Sequence, residues 1–119
     1  MFFDIYIKYE DKEDIIYLFK DVLSKKGAYA YSLFVELINI NDGLWKDKEL
    51  VSIDGCWGEL KVNKKDLLYF IERVNLRSLS EKKLITLKDK EKKGVYSSEK
   101  RKIMELDDDK SYWLVAVES

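Results

Sequence analysis

A chain of 119 residues with 46% apolar and 13% aromatic side chains carries enough to build a core, while 38% charged residues call for a heavily solvated exterior. It has no histidine, no proline and one cysteine, which removes the imidazole and most thiolate routes to proton transfer, nucleophilic attack and metal ligation near neutral pH. No apolar stretch approaches the roughly 20 residues of a membrane span, Met1 to Ile7 lacks a basic flank and a cleavage site, and Cys56 has no disulfide partner, so one cytoplasmic domain over 1–119 with no membrane partner is expected.

Phe2 to Tyr9 alternates, with Phe3, Ile5, Ile7 and Tyr9 on one side and Asp4, Tyr6 and Lys8 on the other, the period of a half-buried strand. Asp11 offers an N-cap, and Ile15, Ile16, Phe19, Val22 and Leu23 recur at helical spacing up to Lys25, Lys26 and Gly27, which predicts a helix. Tyr29 to Asn41 is rich in aromatic and β-branched residues and predicts a long strand, although Leu33 to Ile40 also suits a helix.

Asn41-Asp42-Gly43 is a turn signal, and Asp54-Gly55 is a second, between Leu50–Ile53 and Cys56–Val62. A two-residue turn there pairs Ile53 with Cys56, Ser52 with Trp57 and Val51 with Gly58. That register buries Val51, Ile53, Cys56, Leu60 and Val62 and turns Trp57, Glu59 and Lys61 to the other face.

Asn63 is a good N-cap with Asp66 three residues on, and Leu67, Leu68, Phe70, Ile71 and Val74 form the apolar stripe of a helix ending near Asn75. Lys83 to Leu87 predicts a short strand, and 88–102 a solvated loop or loose hairpin. The chain closes with strands Lys102–Leu106 and Tyr112–Glu118 about an Asp107-Asp108-Asp109-Lys110 turn, aligning Leu106 with Trp113 and Met104 with Val115 toward the core. The order implies a single α+β domain of split βαβ, ferredoxin-like type, with two helices on one sheet face and a C-terminal β-hairpin.

Charge is segregated along the chain. Residues 1–60 carry 7 basic against 12 acidic side chains, 61–102 carry 14 against 6, and 103–119 carry 1 against 5. Segments of opposite sign either cancel by lying together in the fold or steer partners.

No spacing of residues carries catalysis. Carboxylates Asp4, Glu36, Asp54 and Glu59 are too ordinary in so charged a chain to signal acid–base work, and the five glycines are too scattered for a phosphate loop. Cys56 has no imidazole to activate it and reads as a buried structural thiol. Asp107, Asp108 and Asp109 lack the surrounding ligand spacing of a calcium loop, so neither a metal nor a cofactor is expected and the chain reads as a non-enzyme.

What remains is binding. Tyr6, Trp45 and Trp57, with Glu59 and the acidic knob Asp107, Asp108 and Asp109, predict an aromatic and acidic surface for a protein partner. Size and charge suit a stand-alone inhibitor, of the kind that neutralises a toxin or counters a host defence on behalf of a phage. The alternative partner is nucleic acid, through the basic tract Lys82, Lys83, Lys88, Lys90, Lys92, Lys93, Lys100, Arg101 and Lys102, although Glu81, Asp89, Glu91 and Glu99 interrupt it. Exposed sheet edges and aromatics also invite homo-oligomerisation.

Overall fold

The first strand and the last lie side by side at the centre of the sheet. The computed structural model describes residues 2–23, 34, 38, 45–54, 56–74, 77–78 and 96–118. Within them the strands are β1 (Phe2–Tyr9), β2 (Ile15–Leu23), β3 (Leu50–Asp54), β4 (Trp57–Asn63), the two-residue β5 (Arg77–Ser78) and β6 (Ser111–Glu118). The helices are α1 (Lys64–Arg73) and α2 (Ser97–Met104). All strand pairs are antiparallel, in the order β3-β4-β6-β1-β2-β5. The protein is thus an α+β domain.

Alternation in β1 sends Phe3, Ile5 and Ile7 into the core, fully buried. Across the ladder Ile5 faces Ala116 and Ile7 faces Leu114, while Leu60 faces Leu114 and Val62 faces Tyr112. Directly opposed residues share a sheet face, so these rows form one apolar surface. Leu67, Phe70 and Ile71 of α1 and Ile103 of α2 join the same cluster. Both helices therefore pack on this one face, although α2 is not one of the two helices expected there.

Helix α1 starts where expected. Asn63 accepts from the Asp66 amide at 2.8 Å, and the Asp66 carboxylate accepts from the Asn63 amide at 3.0 Å. This reciprocal capping box satisfies two amides that the helix itself leaves unpaired.

The segment expected to be the first helix is strand β2, paired with β1 as a hairpin. Ile7 faces Ile16, Ile5 faces Phe19 and Phe3 faces Val22, because register shifts fall between Phe3 and Ile5 and again between Ile5 and Tyr6. Each shift inserts one extra residue into β2. Core-facing residues spaced by two on β1 therefore meet residues spaced by three on β2, and a spacing of three imitates a helix. Within the bulge opposite Phe3 and Ile5, Asp21 takes φ 57°, and its amide donates to Asp4 Oδ1 at 3.1 Å. Asp tolerates this left-handed conformation better than most residues. With no helix between β1 and β2, the split βαβ arrangement is not what the described strands form.

Three further expectations are corrected. Phe34 and Ile38 are helical, and Phe34 is buried in the core, so the long strand over Tyr29–Asn41 does not hold at those two positions, and its other residues lie outside the described set. In the β3–β4 hairpin Asp54 faces Trp57, Ser52 faces Gly58 and Val51 faces Glu59. The turn has slipped one residue toward Cys56, which is exposed rather than buried, and Val51 stands on the face away from the core. Lys102 to Leu106 is not a strand but the end of α2 and the turn after it, so no C-terminal hairpin forms there. Ile103 and Leu106 are buried while Met104 is 53% exposed, the three-residue spacing of one helical face. The expected strand Lys83–Leu87 and the turn at Asn41-Asp42-Gly43 lie outside the described residues.

If β2 is a bulged strand, Ile15 and Ile7 behave differently on truncation. Ile7→Ala, in the core, loses about 2–5 kcal/mol, whereas Ile15→Ala, on the far face, changes stability by about 0.5 kcal/mol or less. Urea unfolding of the two variants checks this, and equal losses would restore the helix for 15–23.

Candidate functional site: the outer sheet face

Residues that alternate with the core rows form the opposite face of the sheet, and none of their side chains belongs to the core cluster. One row runs Val51, Glu59, Val115, Tyr6 and Tyr17, each opposite the next across the ladder. A second runs Lys61, Trp113, Lys8 and Ile15, and a third Trp57, Val117 and Asp4. Successive rows on one face lie about 6–7 Å apart. Four aromatic rings from four strands therefore share one surface with two lysines and a glutamate.

At its centre Lys8 Nζ donates to Glu59 Oε1 at 2.5 Å. Lys8 also sits 5.9 Å from the Trp57 ring, and Lys61 Nζ lies 5.8 Å from the Trp113 ring, distances at which a cation is attracted to an aromatic face. Tyr6 and Tyr17 pack at 5.4 Å with rings inclined at 56°, and Lys20 lies over Tyr17 at 4.8 Å. Val115 is fully buried beneath these side chains, whereas Ile15 is 42% and Tyr17 39% exposed. Burial, then the Tyr17 phenol and the Glu59 charge, push the Tyr6 hydroxyl above its ordinary value of 10.0. The Trp57 indole N–H is buried with no hydrogen-bond partner.

Of the residues expected from sequence to meet a partner, Tyr6, Trp57 and Glu59 lie together here. Trp45 does not: it is 1% exposed and stacks on Phe70 of α1 at 5.3 Å, so it is a core residue that closes the helix side. Asp107, Asp108 and Asp109 sit at the start of β6, next to the Ser111–Asn63 end of the ladder, while Trp57 faces Val117 at its other end. Six residues of strand separate them, roughly 20 Å. The acidic knob therefore lies far from Trp57, at the end of the ladder nearer Trp113. At the knob, Lys110 pairs with Asp107 and Asp11, and Lys64 pairs with Asp108. Hydrogen bonding from Lys110 holds the Asp11 carboxyl below its ordinary range, and the same contacts raise the Lys110 ammonium.

In the basic tract, Lys82, Lys83, Lys88, Lys90, Lys92 and Lys93 lie outside the described residues. Lys100 pairs with Glu72 at 3.5 Å, and Lys102 Nζ donates to the Tyr17 carbonyl at 3.0 Å. Arg101 is exposed.

Sequence reasoning missed Tyr17, Trp113, Lys8 and Lys61 as members of the site. Tyr17 was hidden by the helical spacing of its neighbours, and Trp113 was placed inward by the expected pairing with Leu106. Lys8 was legible, since it alternates with Tyr6.

An open cleft of about 230 Å³ borders the start of α1, lined by Asp47, Lys48, Glu49, Lys61, Asn63 and Asp66 among others. Lys48 pairs with Asp66 at 2.6 Å. The volume falls short of the roughly 300 Å³ at which ligand pockets begin.

Among the described residues no group of histidine, cysteine and acidic side chains could hold a metal, and no helix is long and apolar enough to cross a membrane. No family profile, no curated protein and no solved structure matches the chain.

Tyr6 yields a pH test. Its phenol holds its proton more tightly folded than unfolded, so stability is intact below pH 10.0 and falls as pH rises toward the folded-state value. Denaturant midpoints measured from neutral to strongly alkaline pH should show a fall that Tyr6→Phe lessens. An unchanged alkaline slope in Tyr6→Phe would show that the hydroxyl is not sheltered on this face.

Proposed function

We propose that the protein is a non-catalytic binding module whose outer sheet face, centred on Tyr6, Tyr17, Trp57 and Trp113, docks a protein partner and occupies or blocks it. The observation that supports this reading is the join of four rings to the Lys8–Glu59 pair on a face that leaves Tyr17 and Ile15 exposed. Large amphipathic rings carry interface energy at little entropic cost. A half-buried ion pair beside them favours partners of matching charge pattern and rejects others. Inhibition of the toxin-neutralising or counter-defence kind is the role that suits such a module, acting in the cytoplasm, where the exposed Cys56 thiol stays reduced.

Nucleic acid is the competing partner, since lysines beside tryptophans also suit stacked bases and phosphates. Glu59 in the middle of the face opposes a phosphate track, and Lys100 and Lys102 are engaged within the fold.

Affinity capture from native lysate, with nuclease and at two salt concentrations, separates these readings. A protein retained after nuclease and lost with Trp57→Ala and with Tyr17→Ala is the expected outcome. Retained nucleic acid that salt releases, with log affinity falling linearly in log salt, would overturn it.

A further inference from the structure

We propose that the exposed ridge formed by α2 and the turn after it binds a second copy of this chain. The ridge faces away from Ile103, the buried residue of α2. Arg101 stands along it one turn before the adjacent Met104 and Glu105, and the chain then continues into Asp107, Asp108 and Asp109. Lys64 Nζ bonds both the Met104 carbonyl, at 2.9 Å, and the Asp108 carboxylate, at 3.2 Å, which holds the acidic turn against the end of the helix.

The ridge is therefore ordered by sign, with a cation at one end, an apolar anchor in the middle and carboxylates at the other. Arg101, Glu105 and Asp109 make no ion pair among the described residues, whereas Lys100, Lys102 and Asp108 are paired within the chain. Met104, at 53%, is the most exposed of the large apolar side chains described. A two-fold contact needs a surface complementary to itself. Antiparallel packing of two such ridges sets Arg101 of each copy against Glu105 and the acidic turn of the other, with the two Met104 side chains at the axis. Methionine suits that position because its flexible thioether adapts to a symmetric neighbour. The net charge of −1 raises no long-range barrier to pairing. One short helix and a turn cover far less than the roughly 1,000 Å² of a stable interface, so the dimer is weak and concentration-dependent. It uses none of the outer-face rings and leaves that surface free.

Sedimentation velocity of the full chain over a rising concentration series, at low and high salt, tests the proposal. The sedimentation coefficient should climb with concentration at low salt and climb less at high salt. Arg101→Glu and Glu105→Arg should each stay monomeric over the same range, with circular dichroism confirming that both fold. An equimolar mixture of the two should regain the climb, because each then meets the opposite charge across the contact. A wild-type protein that stays monomeric throughout would overturn the proposal. So would an Arg101→Glu variant that associates like wild type, or a mixture that fails to recover.

Discussion

The insertion of β6 between β1 and β4 is the constraint on which the rest of the structure depends. Every other residue of this last strand faces the core, as Tyr112, Leu114 and Ala116, and the residues between them, Trp113, Val115 and Val117, stand on the outer face. One strand thus supplies the middle of both surfaces. Its neighbours come from near the start and the middle of the chain, so neither the core rows nor the aromatic face exist until residues about a hundred apart have met. Such non-local pairing is slow to nucleate, and α1, with its own capping box, is the element best able to form early.

The sequence was legible where local chemistry and global packing agreed. Asn63 and Asp66 announced α1, and alternation announced β1 with its inward Phe3, Ile5 and Ile7. It was illegible where a bulge altered the period. In β2 two inserted residues turn a spacing of two into a spacing of three, and Ile16, Phe19 and Val22 then look like a helical stripe. At β3 a one-residue slip moved Val51 to the other face, and at the C-terminal end three-residue spacing of Ile103 and Leu106 marked a helix end where strand alternation was expected. Pattern arguments carry no information about bulges, because a bulge is decided by the partner strand.

The same errors account for the partial view of the site. Tyr6 is placed on the outer face by alternation, and Trp57 and Glu59 by the expected hairpin register, whereas Tyr17 and Trp113 require knowing that β2 is a strand and that β6 pairs with β1 and β4. Trp45 shows the limit of composition: a tryptophan expected on the partner surface packs against Phe70 of α1 instead. The acidic turn, expected to extend the aromatic surface, lies at the end of β6 remote from Trp57. A sheet with one face packed against helices and the other rich in rings is the arrangement on which the proposed binding role rests.

The central claim is that the outer face is the surface a partner covers. Photochemically induced nuclear polarisation of the tyrosine and tryptophan rings, recorded for the free protein and again with a captured partner, tests it most directly. The account predicts signals from Tyr17 and Trp113 in the free protein, silence from Trp45 and Tyr112, and loss of the Tyr17 and Trp113 signals in the complex. Signals from Trp45, or outer-face signals that persist unchanged when the partner is bound, would contradict it.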